Sequence, residues 1–264
     1  MGAVSAGAGV HSYLAKQVKT LRKMRKRVAK RKPDSVRKMR VATRRLRSVL
    51  ATYSYLYAEV PLSRKRLKWL AAELGEVRDL ELLRIRFAAR LNGERPEWFL
   101  HLVEQERLAY ERLDKAFARK RFATLLRAAE TLAASPRFSL AAVEPATALL
   151  AADVAAARTG LVAALDATAT ATAADHDAAR HEARKAAKRT RYTAEAAAAA
   201  LDGPAEAVAA GAERLQTILG RYQDAVVALA YLETHAPDAE IIGVERRAHD
   251  EELAAVESAL SELR

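Results

Sequence analysis

The stretch Ser35–Tyr57, SVRKMRVATRRLRSVLATYSYLY, narrows sharply what this chain can become. At about 100° per residue, Met39, Ala42, Leu46, Val49, Leu50, Tyr53 and Tyr57 fall on one stripe of a helix. Arg37, Arg40, Arg44 and Arg47 fall together on another face, and the stretch holds six Arg or Lys and no acidic residue. The apolar stripe can bury in a bundle. The other face repels itself, since like charges one helical turn apart destabilise a helix. It calls for an anion or for open solvent.

The rest of the chain reads in the same way. Ala, Leu, Arg, Lys and Glu dominate; these are the strong helix formers. Aromatic residues are only 6% of the chain, so an all-α fold with closely packed helices is expected. A first helix is expected from about Val10 to Lys32. Its stripe is Leu14, Val18, Leu21, Met24 and Val28, with Lys16, Lys19, Lys23, Lys26 and Lys30 opposite. Pro33-Asp34-Ser35 ends it, and Asp34 or Ser35 is the expected cap of the second helix, which stops before Pro61. Further helices are expected at about Leu62–Leu91, 97–120 and 121–134. A linker bracketed by Ser135-Pro136-Arg137 and Pro145 follows. Beyond it, helices are expected from about Ala146, over His176–Leu201, and at about 205–234 and 239–263. No segment shows the period-two alternation of a strand.

The chain repeats itself. RKMRVATRRLRS at Arg37–Ser48 aligns with HEARKAAKRTRY at His181–Tyr192, a displacement of 144 residues. Arg40 meets Arg184, Arg44 meets Lys188, Arg45 meets Arg189 and Arg47 meets Arg191. Downstream, Leu74-Gly75 and Asp79 meet Leu219-Gly220 and Asp224, now displaced by 145. Two marker segments in the same order argue for duplication of a helical bundle, with repeats over about 10–135 and about 145–264.

Charge separates the halves. Residues 1–140 carry 33 Lys/Arg against 13 Asp/Glu, while residues 141–264 carry 12 against 20. From Lys16 to Arg47 there are 16 basic residues and one acid, Asp34, which points to a polyanionic partner. Nucleic acid, an acidic membrane surface and inorganic phosphate polymers are the candidates. The basic face recurs in the second half although that half is acidic overall, which says more than the net charge.

Several classes are set aside. With no cysteine, disulfides and thiolate zinc sites are excluded, as suits a reducing compartment. The N-terminus MGAVSAGAGV lacks a basic segment before an apolar run, and Ala6 replaces the Ser or Thr of a myristoylation signal. The most apolar run, Ala146–Ala157, is short and interrupted by Asp153, so no membrane span and a cytoplasmic location are expected. No P-loop, nucleophile elbow or dinucleotide fingerprint appears, and no cofactor is expected.

The pattern [HR]-x-x-R-x-x-x-[RK]-R-x-R occurs twice, with the histidine in the second copy only, each copy followed by L-G-x-x-x-D. In this it resembles the CHAD family, the conserved histidine α-helical domain. His181, Arg184, Lys188, Arg189 and Arg191 match the motif in full; Arg37, Arg40, Arg44, Arg45 and Arg47 match it with arginine in place of the histidine. The resemblance spans about His11 to Leu263 as a single domain. It implies two helical bundles related by a pseudo-twofold axis, with a basic channel between them. Members of the family bind inorganic polyphosphate there and can associate with polyphosphate granules. Arg37 keeps a cation that does not titrate away, so phosphate binding is expected to survive the substitution, whereas a histidine-specific role in that half is in doubt.

Competing readings attach to single residues. His181 is either a phosphate donor beside Arg184 or a surface histidine paired with Asp177; metal ligation lacks partner residues. Asp79 and Asp224 are expected to orient arginines through salt bridges, without catalysis. Tyr53 and Tyr57 lie on the apolar stripe, which favours core packing over base stacking. The reading that emerges is non-enzymatic polyphosphate binding. Lys16, Lys19, Lys23, Lys26, Arg37, Arg40, Arg44, Arg47, His181, Arg184, Lys188 and Arg191 would line the channel, with Arg45 and Arg189, turned about 80° from the first motif residue, as second-rank candidates. Nucleic-acid binding through the same faces and an accessory role to a polyphosphate-metabolising enzyme are the alternatives.

Overall fold

The computed structural model describes residues 5–172, 174–201, 203–237 and 239–261. These residues form helices α1 (Ala6–Val28), α2 (Ser35–Thr52), α3 (Arg64–Ala88), α4 (Glu97–Ala118) and α5 (Lys120–Ala134). A linker then leads to α6 (Ala146–Thr170), α7 (His176–Leu201), α8 (Gly203–His235) and α9 (Ile241–Ser261). The fold is all-α, and the expected helix boundaries hold to within a few residues, except at the start of α1. That helix begins at Ala6 and not at Val10, because Gly7 and Gly9 serve close packing. A Cβ on Gly7 would lie 2.7 Å from Ala142 Cβ, and one on Gly9 would lie 2.7 Å from Ala200 Cβ.

The expected apolar stripes are the buried ones. Leu14, Val18 and Leu21 of α1, Met39, Leu46 and Leu50 of α2, and Leu67, Leu70 and Leu74 of α3 share one core with residues of α4, α5 and α6. Ala194, Ala196 and Ala197 of α7 close this core from the other half of the chain. A second cluster joins Leu83, Phe87, Phe99 and Leu102 of α3 and α4 to Ala228 and Leu232 of α8 and Ile241 of α9. Where α7 meets α6 and α8, the buried contacts are largely alanine, as at Ala186, Ala187 and Ala212, so these helices lie close.

Three local expectations are corrected. Tyr57 does not extend α2: after a 3-10 turn at Ser54–Leu56 it opens a short strand β1 (Tyr57–Glu59), antiparallel to β2 (Arg137–Phe138) in the linker. Strands of three and two residues are too short to show alternation in the sequence. Asp34 sits at the α2 N-cap position in a left-handed conformation (φ 65°), yet its side chain caps no backbone N–H. It accepts from Arg37 instead, a pairing that holds its carboxyl down to about 2. The third expectation concerns α6. It runs unbroken past Asp153 to Thr170 and is, by length and composition alone, apolar enough to cross a membrane. Here it packs along α7, where Thr190 Oγ1 donates to the Ala157 carbonyl at 2.8 Å.

α9 is fastened to α3 by charge. Glu245, fully buried, takes Arg86 Nη2 at 2.7 Å and Arg90 Nε at 3.0 Å. Removing one member of such a group strands the others in a poor solvent. Glu245→Ala is therefore expected to cost about 2–3 kcal/mol, less than a wholly buried pair because both arginines keep some water contact. Urea unfolding reads this as a lowered midpoint; an unchanged midpoint would show that the ion pairs do not hold α9 in place.

Candidate functional site

α2 and α7, the helices that carry the repeated basic motif, lie against each other. Tyr53 OH donates to the Thr193 carbonyl at 3.0 Å, and the Thr52 and Thr193 hydroxyls are 3.3 Å apart. Toward their N-terminal halves the two helices bring Arg40 and Arg44 of α2 to Arg184 and Lys188 of α7, close enough for their charges to act on one another. Residues about 144 apart in sequence thus form one cationic cluster.

The outer members of the cluster are held by the matching carboxylates. Arg40 Nη1 donates to Asp79 Oδ1 of α3 at 2.9 Å. Arg184 Nη2 lies 4.0 Å from Asp224 Oδ1 of α8, a looser contact. Gly75 and Gly220, one turn before those aspartates, give the guanidinium groups bare helix to lie across. A Cβ on Gly75 would meet Arg40 Nη2 at 3.5 Å, and one on Gly220 would meet Arg184 Nε at 3.8 Å. Each L-G-x-x-x-D segment is therefore an arginine seat: the guanidinium lies alongside the helix at glycine, within ordinary van der Waals range, and aspartate, one turn on, supplies the counter-charge.

The inner members have no such partner. Among the described residues, neither Arg44 nor Lys188 makes a hydrogen bond or ion pair with a carboxylate. Arg184 Nε is buried and likewise without a hydrogen-bond partner. Burial, and after it the charges of Arg184, Arg44 and Arg40, pushes the Lys188 ammonium down to about 6. Burial also raises Asp224, against the pull of Arg184. The cluster is thus short of negative charge and holds unsatisfied donors at its centre, which suits an oxyanion with several acceptor atoms.

Other expected site residues are placed elsewhere. Arg45 and Arg191 meet Glu195 of α7: Arg45 Nη2 donates to its Oε1 at 2.8 Å and Arg191 Nε at 2.7 Å. Tyr13 OH donates to Oε2 at 2.5 Å, and Arg191 also reaches Glu213 at 2.8 Å. Although burial pushes the Glu195 carboxyl up, these donors hold it below its usual range. Arg45 and Arg191 are accordingly neutralised within a network joining α1, α2, α7 and α8. Arg37 is paired with Asp34, Nη2 to Oδ2 at 2.6 Å. His181, exposed, has Nδ1 3.2 Å from Gln223 Oε1 and not the expected Asp177, which is engaged by Tyr222 and Arg180. Arg47 stays half-buried beside Arg44, whereas Arg189 is exposed. Lys16, Lys19, Lys23 and Lys26 stand exposed along α1, and Lys16 borders the groove that holds Arg45 and Glu195.

Three contributors escaped the sequence reading. The charges of Arg78 and Arg86, both on α3, reach Asp224, and the Tyr192 ring lies near Arg45 and Arg191. Nothing in the sequence distinguishes Arg78 or Arg86 from ordinary helix-surface charge. Tyr192 directly follows the motif and is visible only as that neighbour. Among the described residues, no group of three or more His, Asp or Glu is placed to hold a metal ion.

Comparison with known proteins matches this arrangement to a named fold. The chain is 33% identical over 236 residues to two uncharacterized proteins of Mycobacterium tuberculosis, MT2285 of strain CDC 1551 / Oshkosh and Rv2226 of strain H37Rv. The match takes in 84% of this chain but 44% of those proteins, so the chain spans about half the length of these relatives. The fold is that of PptA from Streptomyces chartreusis, with a TM-score of 0.68, 22% identity and coverage of 97% of this chain and 96% of the other. It is also that of the CHAD domain from the plant Ricinus communis, with a TM-score of 0.66, 21% identity and coverage of 99% and 93%. The CHAD domain family itself matches residues 12–233, from the first turns of α1 to the end of α8, and the chain belongs to that family.

Proposed function

We propose that this protein binds inorganic polyphosphate without chemical turnover, through the cationic cluster that α2 and α7 form together. The observation that carries the reading is the unbalanced centre of that cluster. Arg44 and Lys188 lack a carboxylate partner, and the buried Nε of Arg184 lacks an acceptor. A phosphate chain offers closely repeated oxygens, and guanidinium groups meet them with forked donors. On this reading the chain is one domain made of two repeats, and each repeat contributes one wall. Arg40 and Arg184 are the oriented walls, Arg44 and Lys188 the floor. Arg47 and the exposed lysines of α1 extend the positive field along the approach. Arg45 and Arg191 serve the framework, and Arg37 and His181 lie at the margins.

Charge reversal at Arg40 and Arg184 together is expected to weaken polyphosphate binding by at least about a hundredfold, since each removes a charge-assisted contact and adds repulsion. Arg45→Gln with Arg191→Gln is the internal control: stability falls, while affinity stays within about threefold because those charges are already neutralised. Titration of fluorescent long-chain polyphosphate measures both, and an unaffected Arg40/Arg184 double variant would refute the assignment. Binding is expected to weaken steeply with salt. DNA or RNA displacing polyphosphate at equal phosphate concentration would transfer the site to nucleic acid.

The pH dependence has a definite sign. In the free protein the Lys188 amine is pushed down to about 6. A bound polyanion favours the ammonium form and raises that value, so binding takes up a proton. Affinity is expected to strengthen as pH falls from the raised value of the complex toward about 6, then to level off. Calorimetry in buffers of different ionisation enthalpy counts the proton. Binding without proton uptake, or binding that tightens as pH rises, would contradict the place given to Lys188.

A further inference from the structure

Phosphate binding does not by itself use one property of Lys188. Its amine is half-buried between guanidinium groups, from Arg184 one turn earlier on α7 and from Arg40 and Arg44 on α2. Against them, Asp224 of α8 is a carboxylate whose charge acts on the amine. Lys188 Nζ has no hydrogen bond or ion pair among the described residues, so its lone pair is uncommitted whenever the proton is absent. A lysine beside other cations in a desolvated site is a nucleophile near neutral pH. Here it stands within a receptor that draws phosphate groups to it.

We propose that Lys188 is a modification site for acyl phosphates, its amine accepting the acyl group while the neighbouring guanidinium groups hold the phosphate that leaves. The proposal rests on reading the cluster as a phosphate receptor. In the step, the Lys188 Nζ lone pair attacks the carbonyl carbon and an N–C amide bond forms. The bond from that carbon to the phosphate oxygen breaks, and the phosphate departs with the bonding pair. The proton shed by nitrogen passes to the phosphate or to water. No electron is gained or lost overall. The acyl phosphate's own charge favours the ammonium form, as bound polyphosphate does, so the step runs through the fraction of complexes in which Nζ has shed its proton. The product is neutral and bulkier, and it removes from the floor of the site the group that would take up a proton on binding. Acylation therefore opposes polyphosphate binding, and bound polyphosphate shields the amine.

The free amine is depleted in ordinary surface lysines near pH 7 and abundant in Lys188. Allowing for its lower intrinsic nucleophilicity, Lys188 is expected to react about tenfold or more faster than a solvated lysine. The test incubates the whole protein with acetyl phosphate at neutral pH and follows each lysine by peptide mass spectrometry. Lys16, Lys19, Lys23 and Lys26, exposed on α1, are the reference. The expected result is preferential acetylation of Lys188, with the preference reduced in an Arg40→Gln, Arg44→Gln variant shown by circular dichroism to be folded, since burial and Arg184 still act on the amine there. Modification of Lys188 no faster than the α1 lysines would overturn the proposal, as would a preference undiminished in that variant. Added polyphosphate separates the two readings. If Lys188 is preferred but polyphosphate gives no protection, the acylation site stands and the polyphosphate assignment fails.

Discussion

The structure turns on an electrostatic imbalance held in place by packing. Three guanidinium cations, Arg40, Arg44 and Arg184, converge with the amine of Lys188 from two helices, and two aspartates, Asp79 and Asp224, sit against Arg40 and Arg184. Left alone the cations would drive α2 and α7 apart. What keeps the helices together is the core beneath them, to which Leu46 and Leu50 of α2 and Ala194 and Ala197 of α7 all belong, and the pins at Tyr53–Thr193 and Arg45–Glu195. The hydrophobic core thus offsets the cost of gathering these charges, which on the proposed reading an arriving anion relieves.

The arginines of the repeated motif divide into two jobs on the same short stretch of helix. Arg44 and Arg45 are sequence neighbours about 100° apart on α2, and that angle decides their fates. Arg44 turns toward the cluster, while Arg45 turns toward Glu195 and Tyr13 and becomes part of the scaffold. Arg191 follows Arg45, whereas Arg40 and Arg184 follow Arg44. A basic motif of this kind both positions its helices and supplies the site.

Much of this was legible in the sequence. The helical periods of Met39–Leu50 and Leu14–Val28 placed the buried faces, and the displacement of 144 residues paired Arg40 with Arg184 and Arg44 with Lys188 before any coordinates. Asp79 and Asp224 were also legible as arginine partners, because they recur at the same offset from a glycine. The fate of Arg45 and Arg191 was not, since it depends on Glu195 and Glu213, whose proximity arises only when α1, α2, α7 and α8 assemble. Nor was the place of His181, where Gln223 lies alongside and Asp177 is taken by Tyr222. The small sheet was hidden by its length, and the apolar extent of α6, read over Ala146–Ala157 alone, by the interrupting Asp153.

The central claim is that one polyanion is held between the two repeats. The most direct measurement is a crystal structure of the protein with a short polyphosphate chain. The expected result is phosphate among Arg40, Arg44, Arg184 and Lys188, with an oxygen accepting from the buried Nε of Arg184. Phosphate found only along the exposed lysines of α1, with the α2–α7 cluster empty, would contradict it.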